Sequence, residues 1–484
     1  MWFNGEERLY LHKVIKDNEI QFREIPNIPR YGERLEDIGM FKRKDLRKAE
    51  NLKPTFRAIR NYLAANAIGI TRDEVFASQL INLIFCKIYD ERFTKPDDTV
   101  KFRAGVNESE EDIYNRILTL FDRVKHQYND VIEVSDSILL DSRSVKYIVG
   151  ELQLYSLKDS SRDAVGDAFE IFIGPSLKGA QGQFFTPRNV VNMVIRMIDP
   201  GIDERILDPA CGSGGFLVES LRYVWNKLEE KAADLGWPES EIEAEKQRIA
   251  IKNLRGIDKD SFLSKVAKAY LAILGDGRGG IHCENSLESF RNWSAKTFED
   301  IQPESFDVIV TNPPFGKKLS IDSTEILELY DLGHRWNSVP GGVFEKGALA
   351  DKQPPQLLFI ERCFQMLRPG GRMGIVLLES IFGMPKYQYV VNYIRLQAKI
   401  NAIVTLPEDL FQPHTHAKCC VLICQKYKKN ESYSSCDNYD IFMSDVKWCG
   451  HDSRGNITYS YTSTGEKVVL DEIPLVADRY LEMR

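Results

Sequence analysis

The stretch FDVIVTNPPFGKK, residues 306 to 318, reads as an apolar strand that runs into Asn312, Pro313, Pro314 and Phe315. Two consecutive prolines remove two backbone donors and fix φ twice, so no helix continues through them and Asn312 is pushed to an extended conformation. The product is a stiff turn carrying one amide and one aromatic ring at a strand end. Such a turn suits the gripping of a flat polar ring, but it also describes an ordinary tight turn, and these residues alone leave both readings open. Lys317 and Lys318 follow directly and bring two cations to the same place.

Three further stretches carry chemistry. ILDPACGSGGFL (206–217) is an apolar strand ending in Asp208, then Gly212, Gly214 and Gly215, then a helix from about Phe216. Glycines let a backbone approach a ligand closely. The loop lacks the Gly-Lys-Ser/Thr that would hold a triphosphate. An acid at its mouth fits the cationic end of an amino acid or sulfonium better than a pyrophosphate, which favours S-adenosylmethionine over a dinucleotide. LRGIDKD (254–260) is the next strand, and Asp258 at its tip is placed to accept hydrogen bonds from both hydroxyls of a ribose, or is a surface acid at a strand end. GQFFTPRNVVNMVIRMI (182–198) offers Thr186 as N-cap and Pro187 as first-turn residue of a helix whose apolar face is Val190, Val191, Val194 and Ile195. The N–H groups at such a helix start suit a carboxylate.

These residues need elements to position them. From about residue 50 to 175 the apolar spacing is helical, with Phe76, Leu80, Leu83 and Ile84 on one face and Ile113, Ile117, Leu120 and Val124 on another. Beyond residue 180, strand-like runs (RILDPA, LRGIDKD, FDVIVTNPP, GRMGIVLLES, KINAIVTLPE, KCCVLICQKY) alternate with helices, which predicts a mostly parallel sheet covered on both faces. Ligands bind such sheets outside the carboxyl ends of the strands. The expected division is an N-terminal extension of unassigned role (1–50), a helical domain (51–178), an α/β catalytic domain (179–430) with a helical excursion at 225–253 and an insertion at 317–354, and a polar, turn-rich C-terminal extension (431–484).

Composition narrows the class. No stretch approaches 18 uninterrupted apolar residues and the N-terminus lacks a signal-peptide layout, so a cytoplasmic chain with no membrane partner is expected. Nine cysteines without a CxxC pair indicate neither a disulfide framework nor a redox motif. His414, His416, Cys419 and Cys420 cluster, but adjacent cysteines entering a strand point to opposite faces, and no metal site is expected. A net charge of −7 argues against coating nucleic acid by bulk electrostatics. The basic run FKRKDLRK (41–48) reads as a solvated helix face.

The order of these motifs resembles the gamma group of DNA amino-methyltransferases. The longer match, from GQFFTPR through DPACGSGGFL and TNPPFG to LRPGGRMGIV and LPEDLFQPHTHAKCCVLICQK, resembles the modification subunit of type I restriction-modification systems over roughly residues 55 to 455. The resemblance implies a Rossmann-like S-adenosylmethionine-dependent methyltransferase domain preceded by a helical domain, acting as a site-specific adenine-N6 DNA methyltransferase. Its cofactor set maps onto Gln183, Phe185, Thr186, Asp208, Ala210, Gly212, Ser213, Gly214, Asp258 and Asn285, where Asn285 replaces the Asp usual in the family. Its catalytic set is Asn312, Pro313, Pro314 and Phe315, with Phe411 and Lys317 toward the substrate.

Adenine's exocyclic amine is a poor nucleophile because its lone pair is delocalised into the ring. The resemblance implies that the Asn312 side-chain oxygen and the Pro313 carbonyl each accept one of its N–H groups and turn the lone pair toward the methyl, while Phe315 stacks on a base flipped from the duplex. The implied partners are double-stranded DNA, a specificity subunit or a recognition domain fused downstream of residue 484, and, as a further candidate, a restriction subunit. Two alternatives stay open: an RNA or protein-glutamine methyltransferase, and a non-catalytic scaffold of the same fold that grips DNA or a partner.

Overall fold

The computed structural model describes residues 2–3, 8–9, 11–16, 19–24, 40–70, 72–160, 186–275, 280–315, 319–340, 343–412, 415–432, 439–462 and 464–484. The chain divides into two compact units, Met1–Lys178 with Ala272–Leu274, and Gly179–Leu271 with Gly275–Arg484. Among the described residues no helix is long and apolar enough to cross a membrane.

The first unit is built on four helices, α1 Lys53–Asn66, α2 Asp73–Phe93, α3 Glu110–Gln127 and α4 Ser142–Leu152. Helix α3 starts on a reciprocal cap, with the Ser109 hydroxyl accepting from the Asp112 N–H at 3.1 Å and the Asp112 carboxylate accepting from the Ser109 N–H at 3.3 Å. Its buried face is Ile113, Ile117, Leu120 and Val124, as the spacing predicts. Helix α2 is buried on more than the one expected face and takes Lys87, Asp90 and Glu91 into the core. These charges are satisfied: Lys87 pairs with Glu91 at 3.1 Å, Glu91 accepts the Leu157 and Lys158 N–H groups, and Asp90 accepts those of Lys101 and Phe102. The run FKRKDLRK is not a helix face. It forms a 3-10 turn, Arg43–Asp45, and a short strand, Arg47–Lys48, and Arg43 is drawn inward to the Glu91 carbonyl at 2.7 Å and to Asp159 at 2.9 Å. The N-terminal segment contains an antiparallel hairpin, Leu11–Lys16 with Glu19–Glu24.

The second unit is organised around an eight-stranded sheet. Its strands are β1 Ile206–Asp208, β2 Leu254–Asp258, β3 Ile281–Cys283, β4 Phe306–Thr311, β5 Leu367–Leu378, β6 Ala398–Thr405, β7 Cys419–Lys426 and β8 Phe442–Asp445. The order across the sheet is β8-β6-β7-β5-β4-β1-β2-β3, and β7 alone runs antiparallel to its neighbours. The central strands read as unbroken apolar runs because helices cover both faces. Helices α5 Arg188–Ile198 and α6 Gly215–Leu235 pack together against the sheet, followed by α7 Glu239–Lys252 and α8 Ser261–Gly275, and α9 Pro355–Met366 and α10 Gln388–Gln397 pack on β5 and β6.

Two segments differ from expectation. The insertion at 317–354 carries a short helix, Thr324–Leu327, and a β-hairpin, His334–Val339 with Val343–Leu349. The C-terminal stretch supplies edge strand β8 and a helix, α11 Ile473–Met483, that packs on α5. Helix α5, the element that carries Thr186 at its start, is thus held between α11 and the sheet. Its approach to β5 is close, since a Cβ at Gly374 would lie 2.6 Å from Val194 Cγ1. Gly374→Ala should therefore push α5 off the sheet and cost about 1–3 kcal/mol. Denaturant unfolding of the variant checks this, and an unchanged midpoint would show that the contact relaxes freely.

Candidate active site

Strand order reverses between β1 and β4, and the carboxyl ends of these strands open onto a cavity of about 230 Å³. Ala210, Gly212, Asp258, Asn285, Asn312, Pro313, Pro314 and Phe315 all line it. Asp208, Ser213, Gly214, Thr186 and Phe411 do not, and Gln183, Phe185 and Lys317 lie outside the described residues.

One device recurs at the strand ends. The Asp208 carboxylate accepts the Ala210 N–H at 3.1 Å, that of Asp258 the Asp260 N–H at 2.9 Å, and the Asn285 side-chain oxygen the Leu287 N–H at 3.1 Å. Each residue thereby closes its own turn by bonding two positions onward. Asp258 does more, because its second oxygen accepts the Gly212 N–H at 2.9 Å and ties the glycine loop to the end of β2. The loop itself needs left-handed backbone at Gly212 (φ 53°) and Gly214 (φ 88°), and a Cβ at Gly214 would meet the Ala267 methyl at 3.2 Å.

Asn312 follows β4 in the same way but cannot close such a turn. The residue two positions onward is Pro314, which has no N–H, and Pro313 has none either. The Asn312 oxygen is accordingly buried without a hydrogen-bond partner among the described residues. Its amide nitrogen does have one, donating to the Thr186 hydroxyl at 2.9 Å. Thr186 is not the N-cap that its sequence suggests. Helix α5 is capped by Pro187 with no side-chain bond, and the threonine hydroxyl is spent on Asn312 instead.

Phe315 and Phe411 meet edge to face, centroids 5.6 Å apart at 73°, and both are buried. A pair in this geometry leaves no slot between the rings for a third plane.

Several residues near the cavity were not read from sequence. Lys259 and Leu263 follow Asp258; Leu319, Ser320 and Ile321 line the side after the Asn-Pro-Pro-Phe turn; and Pro355 and Phe359 come from the start of α9. The strap at 319–321 is fastened by two backbone bonds between Ile321 and Gln353, 2.8 and 2.9 Å. Gln356 accepts the Leu378 N–H at 3.3 Å, at the end of β5. Behind the Asn285 turn lies Arg362, 1% exposed, which donates to the Tyr330 hydroxyl at 2.8 Å and to the Glu288 carbonyl at 2.7 Å and stacks over the Phe290 ring at 4.3 Å. Burial lowers its pKa, opposed by Tyr330 and Glu361, yet a guanidinium stays charged.

Two acids stand at the strand ends, Asp258 in the cavity wall and Asp208 buried at the end of β1. Burial pushes the Asp208 carboxyl up to about 7, with the Thr311 hydroxyl and the Ala210 N–H opposing and Asp258 adding to the rise. Asp258 is raised as well, again chiefly by burial.

A parallel-dominated sheet with a single antiparallel strand between β5 and β6, a glycine turn after β1 and an acid at the end of β2 is the fold of S-adenosylmethionine-dependent methyltransferases, preceded here by a helical region. Residues 160–456 match the N-6 DNA Methylase family, and the chain belongs to it. It is similar to the type I restriction enzyme EcoEI methylase subunit of Escherichia coli, 24% identical over 68% of this chain and 63% of that protein. It is also similar to the MjaVII methylase subunit of Methanocaldococcus jannaschii, 27% identical over 73% of this chain and 56% of that one. The chain thus spans about three-fifths of the length of these relatives. Among solved structures it resembles the methyltransferase subunit of a type I restriction-modification system from Streptococcus thermophilus, with a TM-score of 0.56, 15% identity, and coverage of 90% of this chain and 93% of that one.

Two predictions follow from the geometry. A carboxyl with a raised native pKa holds a proton that the unfolded chain has released, so its contribution to stability falls as pH rises from about 4 to about 7. The melting-temperature difference between wild type and Asp208→Asn should shift in the variant's favour between pH 5 and pH 8, and a difference independent of pH would rule out the assignment. Arg362→Met leaves the Glu288 carbonyl and the Tyr330 hydroxyl short of a donor and should cost roughly 3 kcal/mol in unfolding, while weakening cofactor binding through the loosened Asn285 turn. Calorimetric titration with S-adenosylmethionine checks the second effect, and unaltered affinity would separate Arg362 from the cavity.

Proposed function

We propose that the chain is the methyl-transferring subunit of a restriction-modification assembly, a site-specific DNA methyltransferase that acts on the N6 amine of adenine in the cytoplasm. The observation that carries this reading is the Asn312 oxygen, a buried acceptor with no protein partner among the described residues, on a turn that lines the cavity. An amine with two N–H groups needs two acceptors, and the Pro313 carbonyl, next in the chain, is the natural second. Held between them, the nitrogen is drawn toward a tetrahedral shape and its lone pair leaves the ring plane. Placement and fixed dipoles then lower the barrier without a covalent enzyme intermediate.

The residues present fit the family's cofactor, S-adenosylmethionine. Both Asp258 oxygens accept backbone N–H groups and keep further lone pairs at the cavity, as ribose hydroxyls require. A Cβ at Gly212 would point into open space at the cavity, which suits close approach of a ligand to the backbone. Asn285 keeps one acceptor lone pair after bonding Leu287, enough to receive an adenine amino group. The bound cofactor supplies a methyl on a sulfonium, so the nucleophile needs only an exposed lone pair and a route for one proton.

Phe315, which lines the cavity, is the ring proposed to meet a base taken out of the stack, and Phe411, packed edge to face against it, is the second ring such a base would reach on parting the pair. Net charge of −7 leaves the grip on duplex DNA to a partner that reads sequence, a specificity subunit or a fused recognition domain.

Transfer of labelled methyl to unmethylated DNA of mixed sequence, by the chain alone and with its candidate specificity subunit, tests the proposal. N6-methyladenine should form with the partner, and Asn312→Ala should lower the rate by about 100-fold or more while S-adenosylmethionine still binds. Cofactor binding with no methylated DNA under either condition would overturn it and favour an RNA, a glutamine amide or a scaffold role.

A further inference from the structure

An asparagine side chain has two nearly isosteric ends. Rotation of its last torsion by half a turn exchanges an acceptor for two donors, and that torsion has only a broad two-fold preference of its own. For Asn312 the difference is decisive, because a donor turned toward a substrate amine repels it. Something outside the residue has to choose.

We infer that Thr186 and Pro314 act together as positioning residues that hold the Asn312 amide with its oxygen free for the substrate. The inference rests on the function proposed above. Thr186 anchors the nitrogen end, where its hydroxyl accepts the Asn312 amide N–H at 2.9 Å; because a hydroxyl can also donate, this contact fixes the plane of the amide, and a substrate amine, which offers donors, completes the choice of the oxygen end. Pro314 acts at the oxygen end by withholding a donor. The three corresponding residues, Asp208, Asp258 and Asn285, each bond an N–H two positions onward, and a residue with an N–H at 314 would offer Asn312 the same bond. The side-chain oxygen would then be taken by the backbone. Proline there keeps the acceptor unspent, and the oxygen is buried without a partner among the described residues. The diversion of Thr186 supports the same reading: it precedes helix α5 and leaves that helix without a side-chain cap in order to reach a residue 126 positions away.

The assay is methyl transfer to unmethylated DNA by the chain with its candidate specificity subunit, at saturating S-adenosylmethionine, with cofactor affinity measured separately by calorimetry. Thr186→Val keeps shape and removes the hydroxyl, and Pro314→Ala restores the N–H. Each should slow transfer by about 10- to 100-fold with the cofactor dissociation constant unchanged, and Thr186→Ser should recover the rate. Because both act on one amide, the double variant should lose much less than the product of the two single effects. Retained affinity also shows that each variant is folded. A Thr186→Val enzyme with weakened cofactor binding but full rate at saturation would overturn the inference and make Thr186 a cofactor contact, and so would multiplicative losses in the double variant. Absence of transfer by wild type would instead remove the proposed function, and this inference with it.

Discussion

A parallel sheet ends in backbone donors that no neighbouring strand meets, and this chain meets them with the side chain that stands at each strand end. Three times an Asp or Asn bonds the N–H two positions onward, which fixes the direction in which the chain leaves the sheet. The cavity is the space these turns enclose. At the fourth strand the rule is suspended by proline, so the Asn312 oxygen, which has no hydrogen-bond partner among the described residues, sits where the strand order reverses. Asn312, proposed above as the reacting end of the site, is set apart by the absence of a bond that the other three strands all make.

The remaining structure supports that arrangement from behind. Asp258 links two turns at once, so the glycine loop and the end of β2 move as one piece. Arg362 meets the carbonyls behind the Asn285 turn from the far side of the cavity wall, with Tyr330 and Phe290 packed around it. Burial raises the pKa of both Asp208 and Asp258, and Asp258 adds to the rise at Asp208.

Much of this was legible in the sequence, for identifiable reasons. The six central strands are apolar runs, from three residues in β1 to twelve in β5, closed by turn residues, and the Asn-Pro-Pro-Phe and glycine stretches owe their form to local backbone chemistry. What escaped depends on contacts between distant residues. β3 and β8 are three and four residues long, too short to show a period, and, unlike the equally short β1, no glycine-rich turn follows them to mark the strand end. Thr186 followed by proline carries a strong local signal for a helix cap, and a partner 126 residues away overrides it. FKRKDLRK looks like a solvated face because its charges are frequent, yet Arg43 is half-buried and held by acceptors from two separate segments. Pro355 and Phe359 reach the cavity only because α9 begins beside it.

The edge-to-face pair of Phe315 and Phe411 is closed on itself. On the function proposed above, a base taken out of the stack would exchange one ring contact for another, each worth about 1 kcal/mol. Such an exchange would be nearly indifferent to which base presents itself, and discrimination would fall to the next step, when the newcomer's polar edge either meets the Asn312 acceptor or leaves it unpaired.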